Sequence, residues 1–197
     1  MRDVLIVDSG GSNLASLKFA FRRLGANAYV SDDPRAVAGA ERVVLPGVGS
    51  AMPSMRRLRA SGLADLLPAL TQPVLGVCLG MQLLFERSDE GPTTCLGLLP
   101  HTVRALNPRT GIRVPHTGWN TLGQVKPDPL LEGIAEGDFV YYVHSYSAPV
   151  TPFTLASAEH GVSFSAVVRR DNFWGTQFHP ERSAAIGSRV LRNFLRL

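Results

Sequence analysis

Short apolar runs alternate with helical stripes through the first half of this chain, and that alternation narrows the available folds more than any other feature. Val4-Leu5-Ile6-Val7 reads as a strand ending at Asp8, followed by a Gly/Ser/Asn turn over Ser9 to Asn13. Apolar residues then recur at Leu14, Leu17, Ala20, Phe21 and Leu24, one face of a helix that Gly25 stops. Ala28-Tyr29-Val30 and Val43-Val44-Leu45 are further short strands, and Leu58 to Leu70 is helical with a break near Ser61-Gly62. Pro73 to Val77 reads as a buried strand and Leu79 to Glu86 as the helix after it. Strands alternating with helices build a parallel sheet with helices on both faces.

The second half has a different texture. Short β-runs at Thr102 to Leu106, Phe139 to Val143, Thr154 to Ala158, Ser165 to Arg169 and Phe173 to Phe178 are separated by Pro and Gly. Such spacing suits antiparallel strands and hairpins, with the last run returning to the core sheet. A closing helix from Ala184 to Leu195 puts Ile186, Val190, Leu191, Phe194 and Leu195 on one face. The expected class is α/β: a central, mostly parallel sheet flanked by helices, with an antiparallel extension in the second half. No repeat or linker interrupts it, so 1–197 is expected to be one domain.

Bulk properties exclude more than they name. The formal charge is +4, and the densest basic group, Arg56, Arg57 and Arg59, has the pattern of a solvated helix face. No basic stripe interleaved with aromatics is present, so nucleic acid is not an expected partner. Two cysteines make no disulfide framework. Met1-Arg2-Asp3 runs directly into Val4 to Val7, too short for a signal or membrane segment, so the expectation is a cytoplasmic protein with reduced thiols and no membrane contact.

One of those cysteines stands in Gly76-Val77-Cys78-Leu79-Gly80, on the turn between the Pro73–Val77 strand and the helix that follows. Flanking glycines let the backbone turn sharply enough to lift the apical side chain clear of the sheet, the nucleophile-elbow arrangement with cysteine in place of serine. The helix N-terminus favours thiolate over thiol, and the Leu79 amide points where a tetrahedral oxyanion would form. A cysteine after an apolar strand is also commonly a small buried hydrophobe; the paired glycines favour the elbow.

A cysteine nucleophile needs a base, and the base an orienting group. Gln177-Phe178-His179-Pro180-Glu181 contains both. Pro180 biases His179 towards an extended conformation, in which side chains two apart point the same way. Glu181 then reaches one imidazole nitrogen and leaves the other outward. Alone, this pair reads more readily as a surface histidine beside a helix-starting glutamate; next to the elbow it reads as a base and its orienter. Gln82, four residues after Cys78, falls on the same helix face, with a substrate contact or a buried structural hydrogen bond both open. Pro46-Gly47-Val48-Gly49 follows a strand, and its glycines permit backbone orientations closed to other residues. His116 and His144 have no carboxylate at ligand spacing and are assigned structural or interface roles, with no metal. Cys95 is assigned nothing.

These motifs together resemble the class I (triad) glutamine amidotransferase family. The match runs over nearly the whole chain: Leu45 to Ser50, Cys78 to Phe85, Pro115-His116-Thr117-Gly118-Trp119-Asn120, Tyr141 to Tyr146, and Phe178 to Glu181. The Pro115–Asn120 and Val143–Tyr146 segments narrow the resemblance to glutaminase subunits of imidazole glycerol phosphate synthases, against those serving pyridoxal phosphate synthesis, non-catalytic proteins of the fold, or peptidases of similar topology. The resemblance implies a flavodoxin-like fold, no cofactor, and glutamine as substrate. Cys78, His179 and Glu181 would be the triad, Leu79 with Val48 or Gly49 the oxyanion hole, and Gln82, Ser145 and Tyr146 the substrate contacts. The implied partner is the (β/α)₈-barrel cyclase subunit, in a heterodimer that turns PRFAR and ammonia into imidazole glycerol phosphate and AICAR; Trp119, Tyr141 and Arg182 are interface candidates, with core packing the competing role for the two aromatics. Ser9, Ser12 and Arg182 depart from the family pattern, with loop stiffness or partner contacts as the expected consequence.

Overall fold

A computed structural model describes residues 2–9, 14–47, 49–109 and 111–197. The first half runs β1 Asp3–Val7, α1 Leu14–Arg23, β2 Asn27–Ser31, α2 Pro34–Ala38, β3 Val43–Gly47, α3 Ala51–Ala60, α4 Leu63–Leu66, β4 Val74–Cys78 and α5 Leu79–Gln82. Then come β5 Phe85–Ser88, β6 Thr93–Thr94, β7 Leu99–Ala105, β8 His116–Thr121, β9 Phe139–His144, β10 Tyr146–Ser147, β11 Thr154–Glu159, β12 Ser163–Arg170, β13 Phe173–Thr176 and α6 Ala184–Phe194.

The central sheet has the order β11-β12-β13-β4-β3-β1-β2. From β13 to β2 every neighbouring pair is parallel, whereas β12 and β11 add antiparallel strands at one edge. The expected class is therefore the observed one, including the return of the last β-run to the core beside β4. The inner strands are apolar on both faces because both faces are covered. Val4, Ile6, Val44, Leu75 and Val77 pack in one layer with Leu17 and Phe21 of α1 and Val190 and Phe194 of α6. Leu5, Val7, Val43, Leu45 and Val74 pack in the other with Met55 and Leu58 of α3 and Leu63 of α4. The strand period of two thus sorts a nearly continuous apolar sequence into two cores.

Outside this sheet stand a smaller one, β10-β7-β5-β6, and the antiparallel ribbon β8–β9. The ribbon alternates cleanly. Val140 and Tyr142 are fully buried, while Phe139, Val143 and, across from Tyr141, Trp119 are exposed at 58%, 37% and 52%.

Two expectations need correction. The helix read from Leu79 to Glu86 is a single turn, Leu79–Gln82, and the chain re-enters extended structure at Phe85. Every residue from Val74 to Phe85 is buried. A run with no polar side gives no helical stripe, so β5 pairing with β7 decides its conformation instead. β8 was also not expected: His116-Thr117-Gly118-Trp119-Asn120-Thr121 has no apolar alternation of its own and is a strand because β9 lies against it. The helical stretch Leu58 to Leu70 begins earlier, in α3, and breaks where foreseen, at Gly62 with φ 75°.

Candidate active site

Cys78 ends β4 and caps α5 with φ 54° and ψ −112°. A non-glycine residue there carries about 1–3 kcal/mol of backbone strain and keeps it only where its surroundings leave no alternative. Here the surroundings are other backbones. A Cβ on Gly80 would overlap the Leu45 carbonyl, and one on Gly76 would lie 2.8 Å from the Gly80 carbonyl. α5 therefore rests directly on β3 and β4, and the apical side chain turns out of the sheet. Cys78 lines a pocket of about 320 Å³ together with Gly49, Leu79, Ser145, Tyr146 and His179.

His179 is extended (φ −95°, ψ 99°) and precedes the 3-10 turn Pro180–Arg182. Its Nδ1 donates to Glu181 Oε1 at 2.8 Å, and the Glu181 side chain is fully buried. Nδ1 being engaged, Nε2 is the nitrogen left for chemistry. Burial by itself would lower the His179 pKa; hydrogen bonds and charge from Cys78 and Glu181 outweigh it and raise the pKa to about 10. A histidine whose charged form is favoured by a neighbouring sulfur and carboxylate is the arrangement of a cysteine nucleophile with its acid–base partner. The backbone here is tied to the ribbon. His179 N–H donates to the Tyr141 carbonyl at 2.9 Å, and Ser183 Oγ donates to the His179 carbonyl while accepting from Tyr141 N–H.

Next to the thiol, the first amide of α5, Leu79 N–H, has no acceptor within its helix. Gly49, with φ 91°, lines the same pocket. Val48 and Ser12 lie outside the described residues. Ser9 is buried and its Oγ donates to the Pro46 carbonyl at 2.8 Å, tethering the start of the Pro46–Gly49 loop.

Gln82 is buried, and its Nε2 donates to the Tyr146 carbonyl at 2.7 Å and to Gln177 Oε1 at 2.9 Å. Both amide protons are thus used inside the protein, and only Oε1 remains for a ligand. Two polar groups at the site went unrecognised in the sequence. Gln177 is fully buried and its Nε2 lies 3.8 Å from Cys78 Sγ; its place in the Gln177–Glu181 run was the available signal. Glu90 lines the pocket and accepts from Ala51 N–H, the first amide of α3, at 2.8 Å; burial outweighs that bond and raises its pKa. Nothing local in Ser88-Asp89-Glu90-Gly91 marks it.

His116 and His144 are buried beneath the ribbon, His116 Nδ1 lying 2.9 Å from His144 Nε2. Burial, aided by neighbouring histidines, lowers their pKa values to about 4 and about 3, although the bond to Tyr146 opposes this at His144. His160 stacks on His116 with ring centroids 4.0 Å apart. Among the described residues no group of His, Cys, Asp and Glu is arranged to hold a metal ion. Trp119 and Tyr141 meet edge to face, centroids 5.9 Å apart, on the ribbon's outer face, and Arg182 is exposed beside the histidine turn. Cys95 is buried and does not line the pocket, its thiol pushed up to about 11, chiefly by burial. Among the described residues no helix is long and apolar enough to cross a membrane.

The family described as "Glutamine amidotransferase class-I" matches residues 5–197. The chain is 53% identical over its full length, and over 98% of the relative's, to an imidazole glycerol phosphate synthase subunit HisH of Xanthomonas euvesicatoria. It is 50% identical, with the same coverage, to the subunit of that name in Xylella fastidiosa. Among solved structures, a glutamine amidotransferase superposes with TM-score 0.76 at 20% identity, covering 98% of this chain and 97% of the other, a likeness of fold. A thiol on a strained strand-to-helix turn, a buried His–Glu pair facing it, and sequence likeness from end to end make this chain a member of the class-I glutamine amidotransferase family.

Proposed function

We propose that this chain, acting as one domain over 1–197, is the glutaminase subunit of an imidazole glycerol phosphate synthase in histidine biosynthesis. The observation that carries the reading is the convergence of Cys78 and the His179–Glu181 pair on one pocket.

The Cys78 thiolate attacks the side-chain carboxamide carbon of glutamine. Leu79 N–H and an amide of the Pro46–Gly49 loop take the oxyanion, at Gly49 or Val48. As the tetrahedral intermediate collapses, the C–N bond breaks and His179 Nε2 gives its proton to the departing nitrogen, releasing ammonia and leaving a γ-glutamyl thioester. Neutral His179 then takes a proton from water as that water attacks the thioester. Glutamate leaves, and the thiolate–imidazolium pair is restored. The rest of the pocket lining suits the amino-acid end of glutamine: Glu90 would meet the α-ammonium, and the Ser145–Tyr146 segment would supply backbone contacts. Gln82 acts through Oε1.

Ammonia protonated in bulk water would lose its nucleophilicity, so its use requires an acceptor enzyme docked at the pocket. The ribbon's outer face supports that docking. Trp119, Tyr141, Phe139 and Val143 form an apolar surface that reaches the pocket at Val143, with Arg182 at its margin. The partner is the (β/α)₈-barrel cyclase, and the pair works in the cytoplasm. The test is glutamate release from glutamine with and without the cyclase and its nucleotide substrate. Glutaminase activity that rises on adding both supports the reading; no glutamate release under any of these conditions refutes it.

A further inference from the structure

A buried hydrogen-bond chain runs from the inner face of the ribbon to the nucleophile, and its polarity follows from one atom. The Tyr146 carbonyl oxygen can only accept, and two side chains meet it: Gln82 Nε2 at 2.7 Å and His144 Nδ1 at 2.9 Å. Flipping the Gln82 amide would set two oxygens against each other, so its NH₂ faces Tyr146. That NH₂ also meets Gln177 at 2.9 Å, which must then present Oε1 and turn its own NH₂ towards Cys78 Sγ, 3.8 Å away. In the other direction, His144 carries its proton on Nδ1, so its Nε2 accepts from His116 Nδ1–H at 2.9 Å. His116 Nε2 is left to accept from Asn120 Nδ2 at 3.3 Å.

Every donor in this chain is therefore assigned by a single carbonyl, and the end that reaches the active site is an N–H aimed at sulfur. We propose that Gln177 is a positioning residue of the glutaminase reaction: its fully buried amide, held by Gln82 and the Tyr146 carbonyl, donates to the Cys78 sulfur and orients it for attack. The proposal rests on the glutaminase reading for its kinetic consequence only. An N–H donor stabilises the sulfur where it bears negative charge and holds it off the Val143 carbonyl, 3.6 Å away, which accepts from the thiol form. On the far side of Tyr146, His144 donates to the same carbonyl and His116 donates in turn to His144. This gives two buried imidazoles outside the triad a function that a packed aromatic ring would not perform.

The test is alkylation of Cys78 by iodoacetamide across pH in a Cys95→Ser background, beside steady-state kinetics of the complex with the cyclase. Gln177→Met keeps the length and lacks the donor. Its alkylation rate at pH 7 falls about tenfold, the size of effect one hydrogen bond to a charged group supports. Its pH–rate profile moves to higher pH, and kcat falls comparably while KM for glutamine changes less than about twofold. The titrating groups around the sulfur, His179 with Glu181, His144 and Glu90, are intact in this variant, so the displacement reports the amide. His116→Phe moves the profile the same way by less. Gln82→Met, which frees Gln177 Oε1, gives a second reading should Gln177→Met not fold. A wild-type alkylation profile in the folded variants overturns the proposal. Failure of the glutaminase reading would show separately, as a wild-type complex that alkylates normally and releases no glutamate.

Discussion

The two walls of the pocket are built by opposite means. On the nucleophile's side the contacts are backbone on backbone: α5 rests on β3 with no room for a Cβ at Gly80, and the turn at Cys78 is strained. On the facing side, Val143 to Tyr146 closes a two-stranded ribbon whose outer face is exposed and whose inner face is tied by side-chain hydrogen bonds, through Ser183, His144 and His116. Packed backbones have no nearby alternative arrangement. Hydrogen bonds worth about 1 kcal/mol net each can be redistributed when a partner covers the ribbon. The nucleophile's geometry is thus set in the sheet, whereas the sensitivity of the site to its surroundings lies in the ribbon. His179 belongs to both, since its backbone hangs from Tyr141.

Removing the nucleophile tests the rigid wall most severely. Cys78→Ala and Cys78→Ser should lower glutamate release on the order of 10⁴-fold or more, with fold and partner binding intact and Cys95→Ser nearly silent. Undiminished turnover in a Cys78 variant would end the covalent mechanism. Gly80→Ala attacks the same wall through packing. The overlap with Leu45 should cost more than about 3 kcal/mol in urea unfolding, because backbone and not a flexible side chain must move. Wild-type stability there would mean the elbow is not held as described.

On the ribbon, Trp119→Ala should weaken cyclase affinity about tenfold or more by titration calorimetry, as an exposed aromatic anchor does, while alkylation of Cys78 in the isolated chain stays unchanged. An unchanged affinity would move the docking surface elsewhere. The inner face of the ribbon is tested by acid stability. His116 and His144 are held neutral, with pKa values of about 4 and about 3, against about 6.5 in an unfolded chain. Between those limits the unfolded state binds more protons, so this stability is intact above about pH 6.5 and is lost as pH falls through about 4. His179, raised to about 10, has the opposite sign: its contribution is present below about pH 6.5 and lost as pH rises through about 10. Melting temperature against pH should therefore show an acid limb that the double variant His116→Phe, His144→Gln flattens. An equally steep limb in that variant would put the buried charge elsewhere.

How legible each part was follows the range of the interactions behind it. The elbow could be read because a strand, a turn flanked by glycines and a helix start are neighbours in the chain. His179 and Glu181 could be read because Pro180 restricts the backbone between them. The extent of α5 could not, because burial on all sides from Val74 to Phe85 erases the periodicity that distinguishes helix from strand. β8 was invisible for the converse reason: its residues carry no strand signal until β9 pairs with them.

By itself, then, the sequence determined the alternating core, the sharp turn at Cys78 and the pairing of His179 with Glu181, all of which depend on backbone restrictions acting over a few residues. Only the tertiary structure decided what surrounds the thiol. Gln177 lies 99 residues from Cys78, and Gln82 lies 64 from the Tyr146 carbonyl it meets. Glu90 reaches Ala51 N–H across 39. Contacts of that range are set by strand order and register in the folded sheets, and no local pattern encodes them.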